Sequence, residues 1–160
     1  MKNFKNKVAA ITGAGSGIGQ QLAVLLAQQG CHLALSDINE QGLAQTVELL
    51  QGSDVRVTSQ KVNVAKLQEV RSWAAQVEQD HGSVNMIFNN AGVALGCTVE
   101  GASYEDLEWI VDINFWGVVY GTKEFLPLIK KTGDGHVINI SSLFGLTAQP
   151  TQSAYNATKF

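Results

Sequence analysis

The sequence lacks most of what would place it outside the ordinary α/β domains. Its two cysteines, Cys31 and Cys97, lie far apart, form no CxxC pair and have no histidine at ligand spacing. That argues against a disulfide framework or a zinc site and reads both thiols as packing residues, with no metal expected. Long apolar runs are missing too. None approaches the ~18 residues of a membrane span, and Met1-Lys2-Asn3-Phe4-Lys5 leads into polar residues instead of the apolar stretch of a signal peptide. A cytoplasmic chain without membrane partners is the expectation. Charge of one sign is also lacking: 11 basic and 14 acidic residues, formally -3 in sum, are scattered. No basic patch invites nucleic acid. With no repeat, low-complexity tract or Pro/Gly/Ser linker, residues 1–160 read as one domain.

What is present is alternation. Short apolar runs rich in Val and Ile alternate with stretches of helical period, the pattern of βαβ units feeding a parallel sheet. Five strands are predicted, at Val8–Thr12, His32–Asp37, Val55–Val62, Met86–Asn89 and His136–Ser141, each read as buried on both faces. Helices are predicted over Gly17–Gln29, Glu40–Leu50 and Lys66–Gln79, with Gly30 and Gly52 as stops. A fourth opens after a Ser103 cap and runs toward Lys131, with Pro127 bending it or fraying its end. Gly92 to Ser103 is the one long connection, and loops of that kind are often functional. Ser153 to Lys159 reads as the first turns of a fifth helix.

After the first strand, Thr12-Gly13-Ala14-Gly15-Ser16-Gly17-Ile18-Gly19 makes a tight turn that opens into a helix. Glycines there admit positive φ and let backbone approach a pyrophosphate, whose charge meets the free amides of the helix start. A turn that merely joins strand to helix is the plain alternative. The register is not GxGxxG but GxxxGxG, through Gly13, Gly17 and Gly19. Asp37 ends the second strand 18 residues beyond Gly19, where a dinucleotide fold places a carboxylate for the adenosine ribose. It would repel a 2′-phosphate, and no Arg or Lys lies in the turn or just after Asp37, so NAD is favoured over NADP. An Asp that only caps the next helix is the competing reading.

Tyr155 and Lys159 stand four residues apart, so both project from one face of the predicted helix. A phenol with a pKa of ~10 shuttles protons poorly at neutral pH unless a nearby ammonium stabilises its phenolate. A solvated helix face would show the same spacing by chance.

Taken together, the GxxxGxG turn after Thr12, Asn89-Asn90-Ala91-Gly92, Asn139-Ile140-Ser141-Ser142 and Tyr155-xxx-Lys159 resemble the short-chain dehydrogenase/reductase family. The resemblance implies a Rossmann-type doubly wound parallel sheet of order 3-2-1-4-5, lacking the C-terminal strands of the family. It implies an NAD-dependent oxidoreductase that moves hydride between nicotinamide and an alcohol or ketone. Tyr155 would be the general acid/base and Ser142, chosen over Ser141 by family spacing, would steady the substrate oxygen. Lys159 would tune Tyr155 and contact the nicotinamide ribose, and Asn114 would hold a relay water. Gly13, Ser16, Gly17, Ile18 and Gly19 would line the cofactor, with Asn63 and Val64 near the adenine and Asn90 near its ribose. Asn63 departs from the Asp common at that position. Val93, Ala94, Leu95, Leu143, Gln149 and Thr151 would form the near wall of a mostly apolar substrate pocket.

Family members are longer than this chain, and the fifth strand would otherwise be an open apolar edge. Either the chain is a fragment or another copy covers that edge, a homo-oligomer being the simplest form. Three functions stay open at this point: a dehydrogenase active in its full form, a dinucleotide-binding fragment that cannot turn over, and an interaction protein that keeps the fold. Epimerases and dehydratases share YxxxK, but the glycine spacing fits them less well.

Overall fold

The computed structural model describes residues 3–160. Five strands among them pair in parallel in the order β3-β2-β1-β4-β5: β1 Val8–Thr12, β2 His32–Asp37, β3 Val57–Lys61, β4 Met86–Asn89 and β5 His136–Asn139. The doubly wound 3-2-1-4-5 sheet read from the sequence is the observed one. Helices α1 (Gly17–Gln28), α2 (Glu40–Leu49), α3 (Leu67–His81), α4 (Tyr104–Val111), α5 (Gly117–Thr132) and α6 (Ser153–Lys159) flank it.

Successive strand residues face opposite ways, and the core divides accordingly. Ala9, Ile11, Leu33, Leu35 and Met86 pack with Ala23, Leu26 and Leu43 under α1 and α2. Ala10, Ala34 and Ile87 pack with Val70, Trp73, Val77, Phe125 and Ile129 under α3 and α5. Trp73 and Phe125 meet edge to face, ring centroids 4.9 Å apart. Cys31 belongs to this interior. Its thiol donates to the Lys7 carbonyl at 3.2 Å, and burial pushes its pKa up to about 12. Cys97 is only half-buried.

Burial on both faces holds for β1, β2 and β4, but not for β3 and β5. These outer strands have one neighbour each, and every residue in them is half-buried or exposed. Both are also shorter than predicted. β3 pairs only from Val57 to Lys61, and β5 stops at Asn139 because its partner ends at Asn89, whose carbonyl accepts the last bond from Ile140 N.

The predicted helix from Ser103 to Lys131 is two helices joined by a π-helical segment, Asp112–Trp116. Ser103 does cap it, in a reciprocal box with Asp106. Pro127 does not end α5, which runs on to Thr132 and is closed by Gly133 at φ +67°. Phe125 and Ile129, buried on either side of the proline, hold that stretch to the sheet. Among the described residues no helix is long and apolar enough to cross a membrane.

Candidate active site

A cleft of about 410 Å³ opens at the carboxyl ends of β1, β2, β3 and β4, the topological switch point of such a sheet. Gly13, Ser16, Gly17, Ile18, Asp37, Asn63, Val64 and Asn90, all singled out from the sequence, line it. Gly13 has φ +65° and Gly17 φ +51°, values an L side chain resists. Gly17 starts α1. The N–H groups of that first turn have no intrahelical acceptor, and the Ser16 side chain does not cap them. Gly19 is the exception to the lining set. It lies behind the turn, where a Cβ would strike the Gly13 carbonyl and come within 2.6 Å of Asn90 Nδ2.

Asp37 is not the cap of α2; Asn39 is, accepting from Gly42 N at 3.2 Å. One Asp37 oxygen accepts from Gly15 N at 2.8 Å and the other from Asn39 N at 2.8 Å, so the carboxylate is locked against the glycine turn. Gly15, part of the turn but outside the GxxxGxG register, has its own reason to be glycine: a Cβ there would sit 2.9 Å from Asp37 Oδ2. Thr12 and Asn90 fix the turn from below. Thr12 Oγ1 accepts from Asn90 N and Ala91 N at 3.0 Å each, and Asn90 Nδ2 donates to the carbonyls of Thr12 at 2.9 Å and Gly13 at 3.1 Å. Asn63 Oδ1 accepts from Ala65 N at 3.0 Å, and its backbone N–H donates to Glu69 Oε2 at 2.7 Å.

The second half of the site hangs on the π-helical segment. The wider turn there leaves Asn114 buried, with Oδ1 accepting from Val93 N and Nδ2 donating to Val93 O, both at 2.9 Å. Nδ2 also donates to Thr158 Oγ1 at 3.1 Å, and Thr158 donates on to the Tyr155 carbonyl at 2.9 Å. Sequence reasoning had no signal for Thr158. Lys159 Nζ donates to the Ile140 carbonyl at 3.1 Å and stands 6.0 Å from the Tyr155 ring centroid. Burial lowers its pKa from the ordinary lysine value. A Cβ on Gly92, a residue lining the cleft, would come within 3.1 Å of Lys159 Nζ and 3.2 Å of Asn114 Oδ1. The lysine thus abuts one end of the cleft without lining it.

Ser141 and Ser142 part company as adjacent residues should. Ser141 Oγ donates to the Lys159 carbonyl at 3.0 Å. Ser142 Oγ accepts from Phe144 N at 3.2 Å, at the start of the short turn Leu143–Gly145, which leaves its proton available to another oxygen. Asn156, also unnoticed in the sequence, ties this turn to α6: its Nδ2 donates to the carbonyls of Phe144 at 2.5 Å and Thr147 at 2.9 Å. Phe144 meets the Tyr155 ring edge to face at 6.2 Å. Of the expected substrate wall, Val93 lines the cleft and Leu143 is exposed. Cys97 N donates to the Thr151 carbonyl at 2.8 Å, joining the two loops that carry the rest of that wall.

The profile of the family described as short chain dehydrogenase matches residues 7–160. The SadH protein of Mycobacterium tuberculosis is 51% identical over 160 residues, 100% of this chain and 58% of that protein. A cyclohexanol dehydrogenase of an Acinetobacter species is 35% identical over 158 residues, 98% of this chain and 62% of that one. Among solved structures, a short chain dehydrogenase/reductase of Burkholderia phymatum in complex with NAD superposes with a TM-score of 0.96 at 36% identity, covering 99% of this chain and 57% of its own. The chain therefore spans less than two thirds of the length of these relatives. With its profile match, its parallel 3-2-1-4-5 sheet and its glycine turn, the chain belongs to the short chain dehydrogenase family.

Proposed function

We propose that this chain binds NAD in the cleft and carries the residues for hydride exchange between nicotinamide and a secondary alcohol or ketone. One observation supports it above the rest. Gly92 borders both the cleft of the glycine turn and the Lys159 ammonium, so the dinucleotide site and the Tyr155–Lys159 pair share a wall. The residues fit the cofactor: backbone amides of an open helix start for the pyrophosphate, and a carboxylate locked at the end of β2 for ribose hydroxyls. The relatives' names, among them a cyclohexanol dehydrogenase and a xylitol dehydrogenase, fit an alcohol substrate.

Bound NAD would supply the acceptor for hydride, or as NADH its donor. In the oxidative direction Tyr155, as its phenolate, would take the proton of the substrate alcohol and become the phenol while the substrate carbon gives hydride to the nicotinamide. Ser142 donates a hydrogen bond to the same oxygen, and the Lys159 ammonium stabilises negative charge on the phenol. Asn114 acts at one remove: its side chain is spent on Val93 and Thr158, and it holds α6 in place.

A second reading, a dinucleotide-binding unit that does not turn over, is favoured by one feature: no residue of α6 is fully buried. Absorbance at 340 nm with NAD and cyclohexanol or other secondary alcohols separates the two, with Tyr155→Phe as control. NADH production that falls at least ~100-fold in Tyr155→Phe supports the first reading. Binding of NADH without turnover supports the second. Absence of both rejects the proposal.

A further inference from the structure

NADP differs from NAD by a 2′-phosphate on the ribose that Asp37 would meet, so the cations near Asp37 decide how strongly that phosphate is refused. The glycine turn and the whole stretch 36–49 contain no Lys or Arg. The fold supplies one from elsewhere. Lys61, the last residue of β3, is the register partner of Asp37 on β2. In a parallel pair, register partners lie on neighbouring strands ~4.8 Å apart with side chains on the same face. Lys61 is therefore the cation placed to answer a phosphate at Asp37.

It is already engaged. Lys61 Nζ donates to Glu40 Oε2 at 2.8 Å, and Glu40 is the first residue of α2, three positions beyond Asp37. Side-chain exposures of 55% for Lys61 and 68% for Glu40 mean that only this pairing fixes the lysine, since little packing restrains it. On the far side, Glu69 bonds the backbone of Asn63, another residue lining the cleft, and adds a second carboxylate near the same lysine.

We infer that the Glu40–Lys61 ion pair is a cofactor-specificity element: Glu40 withholds from a 2′-phosphate the one cation the sheet brings beside Asp37. This rests on the dinucleotide reading above and extends it from one carboxylate to a three-residue arrangement, Asp37, Glu40 and Lys61. An exposed ion pair of this kind contributes little to stability, so it can be opened without unfolding the chain.

The test is binding of NADH and NADPH, followed by nicotinamide fluorescence, to the unaltered chain and to Glu40→Gln, Lys61→Gln, the double variant and Glu48→Gln. Glu48 is an exposed residue of the same helix, and its loss changes net charge equally while freeing no cation. Glu40→Gln is expected to tighten NADPH about fivefold to tenfold and leave NADH within about twofold, from a lysine charge acting at solvent-screened range. Adding Lys61→Gln should return NADPH to the starting affinity, and Glu48→Gln should leave it unchanged. Thermal melts check that each variant stays folded. An unmoved NADPH to NADH ratio in Glu40→Gln, a gain that survives loss of Lys61, or the same gain in Glu48→Gln overturns the inference while NADH still binds. Failure of the unaltered chain to bind either dinucleotide overturns the dinucleotide reading and this inference with it.

Discussion

The glycine-turn half of the site and the Tyr155 half are built by different means. Around the turn, the central strands β1, β2 and β4 are each paired on both sides, β1 is buried throughout, and Thr12, Asn90 and Asp37 lock the backbone from buried or half-buried positions. Around Tyr155 the support comes from β5, an outer strand of the described sheet, and from a seven-residue helix with no fully buried side chain. That helix would fray alone. It is held by a few side-chain hydrogen bonds, one each from Asn114, Ser141 and Lys159 and two from the Asn156 amide. The first half is a product of packing; the second is pinned. On the proposed function, dinucleotide binding should therefore survive changes that displace Tyr155 and Lys159.

The largest expected effect breaks the packed half. Gly19→Val would drive a side chain into the Gly13 carbonyl and the Asn90 amide, and should reduce NADH affinity by at least ~100-fold and lower the melting temperature. A turn that tolerated valine there would not be packed as described. Next, Asn114→Ala removes the clamp shared by the two halves, three hydrogen bonds from a buried amide, and should cost about 2–3 kcal/mol in urea denaturation.

Asn156→Ala should separate the halves. A loss of about 1–2 kcal/mol of local protection, read by hydrogen exchange over Leu143–Thr147 and α6, is expected, with NADH affinity within about twofold. Equal loss of protection around Gly13 would show that the halves are not independent.

The smallest effect is in pH. Burial, with the nearby Arg56 charge second, lowers the His81 pKa from 6.5; its Nε2 lies 2.9 Å from Thr58 Oγ1, and its Nδ1 has no partner among the described residues. The unfolded chain binds that proton more readily, so the stability is fully present above about pH 6.5 and is lost as pH falls from there through the lower folded value. The melting temperature should drop by about 2–4 °C between pH 7 and 5, less so in His81→Gln.

Most of the packed half was legible in the sequence because it depends on local chemistry. The turn glycines, the strand-end Asp37 and the apolar period of α1 and α3 are all short-range patterns; alternation pointed to a parallel sheet, and its strand order followed from the family resemblance. Missing from that reading were pairs that only the folded chain brings together. Lys61 is 24 residues from Asp37 in sequence, and Thr158 is 44 from Asn114. The π-helical segment also escaped, since one extra residue in a turn leaves the apolar pattern of α4 and α5 nearly unchanged. The outer strands were overextended because apolar sequence continues past the point where the partner strand runs out, at Asn89 for β5.

The central claim, that the 160-residue chain itself forms the dinucleotide site, is tested most directly by titrating it with NADH beside Asp37→Ala. Saturable binding is expected, weakening at least ~10-fold when the carboxylate locked to Gly15 is removed. Absence of binding, or equal binding by Asp37→Ala, would contradict it.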